Sequence, residues 1–168
     1  MMKPVVRKLA LSAHLTSSLG WIGTVIAYLG LGVAAVSTED VGTIRAAWIA
    51  MELIGWYLIV PLAVTSLITG LLMALGTKWG LFRHYWVLIS FFLTLLSTGI
   101  LVLHMPTVTA TVAVVRQAEG PALEALGGDL LHPGIGLMIL LVVQILNIYK
   151  PQGMTRYGWR KQQAAGGS

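Results

Sequence analysis

The sequence predicts an all-α integral membrane protein, a four-helix bundle with both termini on the cytoplasmic side. Three observations lead there. Of its 168 residues, 57% are hydrophobic and only 10% are Asp, Glu, Lys or Arg, with a mean hydropathy of +0.82. Soluble domains carry roughly 25% charged residues, and a soluble chain of this size has no core large enough to hide so much apolar surface. Next, four segments reach the length of about 20 mostly apolar residues that a membrane helix needs. Finally, the charges divide by side.

The four predicted helices fall at about 9–36, 46–75, 84–104 and 131–149, within a single transmembrane domain covering 1–161. The first apolar run, Leu9–Val36, follows Lys3, Arg7 and Lys8 like a signal peptide but far exceeds a signal core of 7–15 residues, so it reads as a retained helix. The second contains Pro61, which donates no backbone hydrogen bond and should kink it. The third spans His84–His104, and mildly apolar Thr107–Ala118 extends it into the outer interface. Ala122–Leu126 reads as a short helical turn. Gly127, Gly128 and Pro133 set the start of the fourth helix, with Asp129 as its N-terminal cap. The small, polar end 162–168 is expected to be disordered.

With four spans, Lys3, Arg7, Lys8, Lys78, Arg83, Lys150, Arg156, Arg160 and Lys161 share one side, leaving only Arg45 and Arg116 of the eleven basic residues on the other. All six acids (Glu39, Asp40, Glu52, Glu119, Glu124, Asp129) lie on that other side or just inside it. Basic residues in short loops stay cytoplasmic. Both termini therefore face the cytoplasm, the expected location is a bacterial inner membrane, and the basic tail Lys150–Lys161 suits anionic headgroups of the lipid bilayer better than nucleic acid. The chain has no cysteine, which excludes disulfides, thiolate metal centres and thiol catalysis.

Ionisable side chains are costly in hydrocarbon and mark function when they occur there. The candidates are His14, Glu52, His84, His104 and His132. His14 lies about 9 Å past Lys8 at 1.5 Å per residue, and His84 begins the third helix, so both belong to the cytoplasmic level. His104 follows His84 by twenty residues, about 30 Å, and reaches the outer level with His132. His14, Ser17, Ser18, Trp21 and Tyr28 form one polar and aromatic stripe on the first helix, and Ser90, Ser97 and His104 repeat every seven residues on the third.

Two chemistries fit. Two histidines on different helices can hold one haem b iron axially in a bundle core, with His14 and His84 as the inner pair and His104 and His132 as the outer pair. Alternatively, Glu52, His104 and His132 can hold a metal ion near the outer face. Such a set suits zinc or non-haem iron, and Met51 and Met105 nearby lean it toward copper. The haem reading implies a membrane oxidoreductase moving electrons to or from a quinone or another lipid-soluble partner. The metal reading implies a metal-dependent membrane enzyme. A third reading is a non-catalytic helper or transport subunit whose polar residues lock helices together. Any of these is compatible with a homo-oligomer.

In the first helix, His14, six residues, Trp21, one residue and Gly23 make a His-x6-Trp-x-Gly pattern. It resembles a group of small bacterial membrane proteins that includes the copper-resistance D-type proteins and the four-helix membrane protoporphyrinogen oxidases. In those oxidases the first-helix histidine is associated with haem b, so the resemblance implies an axial-ligand role for His14. Arg83-His84-Tyr85-Trp86-Val87-Leu88 and the tail from Tyr149 to Gly158 look like an uncharacterised subgroup of the same proteins. The membrane lysine of the oxidases has no counterpart in Leu88–Phe92, so the resemblance extends to haem and not to that reaction.

Overall fold

A computed structural model describes residues 2–77, 79–118 and 127–166. The chain runs through α1 (Pro4–Val36), α2 (Val41–Ile54), a π-helical turn (Gly55–Ile59), α3 (Val60–Gly76), α4 (Tyr85–Gln117), α5 (Leu131–Tyr149) and α6 (Arg156–Gly166). Four helices are long and apolar enough to cross a membrane: Pro4–Val36, Val41–Gly76 (α2 to α3 without a break), Tyr85–Gln117 and Leu131–Tyr149. The chain is a multi-pass membrane helical bundle. With four crossings it begins and finishes at one end, called here the terminal end; the opposite end is the loop end.

Pro4 starts α1, where its fixed φ suits a first turn and its missing N–H costs nothing. Asp40 caps α2 by accepting hydrogen bonds from the Thr43 N–H (2.8 Å) and hydroxyl (2.6 Å). These bonds hold its carboxyl below the usual carboxylate range. Pro61 does not break the second span. The π turn lies one turn before it, and Val60 donates to the Gly55 carbonyl five residues back. Such a turn relieves the clash and lost bond a proline imposes. α4 is longer than its apolar core requires. It passes through Pro106 and continues to Gln117, because Val108, Val112 and Val115 are buried against Ile44, Trp48 and Met51 of α2. Arg45 then satisfies the end of α4, donating to the Val115 (3.3 Å) and Ala118 (2.9 Å) carbonyls.

The expected turn at 122–126 falls outside the described residues. The expected disordered tail is in part helix, since α6 runs from Arg156 to Gly166. It is tied to the α3–α4 turn, where Thr155 donates its N–H to the Arg83 carbonyl (3.0 Å) and Tyr85 donates to the Gly153 carbonyl (3.2 Å).

α1 packs on α2, α3 and α5, and α4 packs on the same three, so α1 and α4 face each other across the bundle. The main core gathers Trp21, Val25, Tyr28, Ile44, Trp48, Met51, Ile59, Met105 and Leu140. The outward faces of all four spans carry exposed large apolar residues, among them Leu9, Leu15, Ile26, Leu53, Ile68, Phe92, Leu103, Met138 and Ile145. Lipid covers such surfaces, whereas water would make them an aggregation hazard.

Candidate metal centre at the loop end

The candidate site is built where α1, α4 and the start of α5 meet. Gly127 has φ +59°, a left-handed conformation that favours glycine. Its carbonyl accepts from Trp48 Nε1 at 3.3 Å. Gly128 then lies flat on α1: a Cβ there would sit 2.7 Å from the Gly32 carbonyl oxygen. These two glycines bring the chain onto α1 and turn the next residue, Asp129, inward.

Asp129 is the hub, with a side chain only 10% exposed. Its Oδ2 accepts from Tyr28 Oη at 2.9 Å and from His104 Nε2 at 2.7 Å. An ionised carboxylate only accepts, so the His104 proton sits on Nε2. Its Oδ1 lies 3.6 Å from His132 Nδ1, an ion-pair distance and not a hydrogen bond. The His104 and His132 rings stack, with centroids 3.9 Å apart and planes 19° from parallel. The remaining exposures are 18% for His104 and 52% for His132.

Ligand atoms of His104, Asp129 and His132 lie within 4.8 Å of one another, a group that can hold a metal ion. Tetrahedral zinc with bonds of roughly 2.0 Å puts its ligands about 3.3 Å apart. Closing on an ion therefore requires the stacked imidazoles to turn their donor nitrogens toward one point, and the more exposed His132 is the freer of the two to turn. The cluster opens onto a cavity of about 340 Å3 walled by Trp21, Val25, Ile59, Leu101, Met105 and Ile139.

The expected site residues distribute differently from the sequence reading. His104 and His132 do come together, but the carboxylate between them is Asp129. Asp129 is not a cap: the residue before α5 is Leu130, and no side chain caps it. Glu52 stands apart, its Oε2 3.4 Å from Arg116 Nη2. The reason is the length of α4, which brings Arg116 back over α2. Met51 and Met105 are buried at 0% and 1% exposure, and the Met105 sulfur packs against Gly55. Tyr28 belonged to the polar stripe on α1 but had no assigned role. Asp129 carried a readable sign, its i, i+3 spacing to His132 across the first turn of α5.

The chain resembles no known family strongly enough to be placed in one. No family model, no curated protein and no solved structure matches it.

At the terminal end the histidines do not pair. His14 Nδ1 lies 3.1 Å from both the Ser66 carbonyl and Thr69 Oγ1 on α3. His84 stands in the turn before α4, its Nδ1 2.7 Å from the Trp79 carbonyl and its ring edge-on to Trp79 at 5.3 Å. His14 lines a second cavity of about 340 Å3, and His84 is not among its walls. A haem held by two axial imidazoles needs them on opposite sides of a porphyrin. The outer rings stack face to face, and the inner pair shares no cavity. Trp21 and Leu140 line both cavities and stand between them.

The Gly128 contact predicts a graded loss. Gly128→Ala must lift the 127–130 segment off α1, because the atom in its way is backbone and cannot rotate aside. Metal affinity is expected to fall roughly tenfold, as for other disturbances of groups that orient a ligand. Calorimetric titration with zinc measures it, and an unchanged affinity would mean the glycine does not position Asp129.

Proposed function

We propose that the protein is a bacterial inner-membrane protein that binds one divalent metal ion, zinc first, near the outer face. His104, Asp129 and His132 are the ligands, and the terminal end is cytoplasmic by the placement of the basic residues. The observation that carries this reading is one partly buried carboxylate shared by two histidines and a tyrosine. Two nitrogens and one oxygen are the donor set of catalytic zinc sites that keep a fourth position open. The cluster opens onto an apolar cavity, which would suit a metal-dependent membrane enzyme acting on an apolar or amphipathic molecule. Tyr28 donates to the same carboxylate and holds its orientation, as outer partners of metal ligands do. Ligation through His104 Nε2 would displace the proton that this nitrogen donates to Asp129.

The test is a zinc titration of the demetallated, detergent-purified protein, with an absorbance spectrum of the protein as isolated. One equivalent is expected to bind, and the double variant His104→Ala, His132→Ala is expected to bind none at that site. Stoichiometric zinc retained by the double variant rejects the assignment. A Soret band with no bound zinc would replace it with the haem reading.

A further inference from the structure

The cavity at the terminal end has features that the metal site does not use. It lies between α1, α3, α4 and α5, and its walls hold His14, Ser66, Ser90, Thr94, Gln144 and Asn147. Ser90 is 6% exposed, and its Oγ has no hydrogen-bond partner. Burying a hydroxyl unpaired is costly, so this one calls for a ligand that accepts its proton or donates one. His14 supplies the complementary group. Its Nδ1 is within hydrogen-bond distance of a backbone carbonyl, which only accepts, so Nδ1 carries the proton and Nε2 keeps its lone pair. The cavity therefore offers one bare imidazole nitrogen on α1, and on the facing helix α4 it is lined by Ser90, whose hydroxyl is buried and unpartnered.

The rest of the lining narrows the class. Among the described residues no acidic side chain is among the walls and the one cation is Lys150, whose Nζ lies 5.5 Å from the Trp79 ring centroid. A metal ion or organic cation is thus disfavoured, and a single lysine is a thin anchor for a phosphate. Trp21, Trp79, Trp86 and Phe91 give flat aromatic walls. Leu11, Leu15 and Ile148 line the cavity while being 43%, 47% and 64% exposed on the surface that lipid covers. The cavity thus reaches the bilayer between α1 and α5.

We infer that this cavity is a binding site for a lipid-soluble quinol, its ring held between the tryptophans. One ring hydroxyl donates to His14 Nε2, and an oxygen across the ring pairs with Ser90 Oγ. The apolar tail leaves through the α1–α5 opening. The site is independent of the metal cluster, which lies beyond Trp21 and Leu140. Gly70 supports it from α3, where a Cβ would come 3.0 Å from His14 Cε1, so the imidazole rests on a position that must stay small.

The experiment titrates the full chain in lipid nanodiscs with decylubiquinol and follows tryptophan fluorescence. Saturable quenching is expected in the wild type. Ser90→Ala and His14→Phe are each expected to weaken it roughly tenfold, the scale of one hydrogen bond. Ser90→Ala removes an unpaired polar atom and so leaves the thermal midpoint unchanged or raised, which keeps the test readable if His14→Phe folds poorly. Zinc binding at the loop end should be unaltered in both. Absence of saturable quenching, or wild-type affinity in Ser90→Ala, overturns the inference. So does quenching that depends on Lys150 and is competed by phosphatidylglycerol, which would assign the cavity to an anionic headgroup.

Discussion

Asp129→Asn is expected to lower zinc affinity at least roughly 100-fold while leaving the helical bundle intact. The amide keeps the shape of the carboxylate and can still accept from Tyr28 or His104 through its remaining oxygen. It loses the negative charge that a divalent ion requires, and amide oxygen is a poor zinc ligand beside imidazole. Removal of groups that only orient a ligand costs 10–100-fold, so loss of a ligand itself should exceed that range. Tyr28→Phe removes only an orienting bond of 2.9 Å and should cost about tenfold. Competition against a chromophoric chelator ranks the three proteins. If Asp129→Asn binds zinc within threefold of wild type, Asp129 is not a ligand.

The other large effect concerns Trp21. Its side chain is 3% exposed and, with Leu140, forms the wall between the two cavities. Trp21→Ala removes that wall and joins two spaces of about 340 Å3 each. Truncating a buried tryptophan costs about 3–5 kcal/mol, through lost packing and the cavity left behind. The packing part applies in lipid as in water, since contacts between close-packed atoms drive helix association there. Reversible unfolding in mixed micelles should show a loss of about 3 kcal/mol or more, with Trp21→Phe recovering part of it. A loss under about 1 kcal/mol would show that the wall is not a packed element.

Composition and apolar run length made the membrane class and four spans legible, because lipid leaves few other solutions for a backbone that must satisfy its own hydrogen bonds. The level of His104 and His132 could also be read by counting rise along helices. Which carboxylate joins them could not. Glu52 and Asp129 lie at similar depth, and the choice turns on azimuth and on the chain's approach before α5. That approach depends on Gly128 meeting the Gly32 carbonyl, a contact between residues 96 positions apart (32 to 128) that no local pattern encodes. Likewise, His84 looked like a partner for His14 by level alone. The turn before α4 instead turns its Nδ1 to Trp79. The orphan Ser90 hydroxyl is a property of packing and was visible only as one step in a seven-residue repeat.

The π turn at Gly55–Ile59 also sets azimuth. Ile44 and Ala74, buried near the two ends of the second span, are separated by thirty residues (44 to 74). At about 100° per residue an unbroken α-helix would rotate one about 120° away from the other. A π turn carries one extra residue and takes back about 100°. The wide turn thus acts as a phase corrector. It lets one continuous rod bury Ile44 near the loop end and Ala74 near the terminal end on the same side.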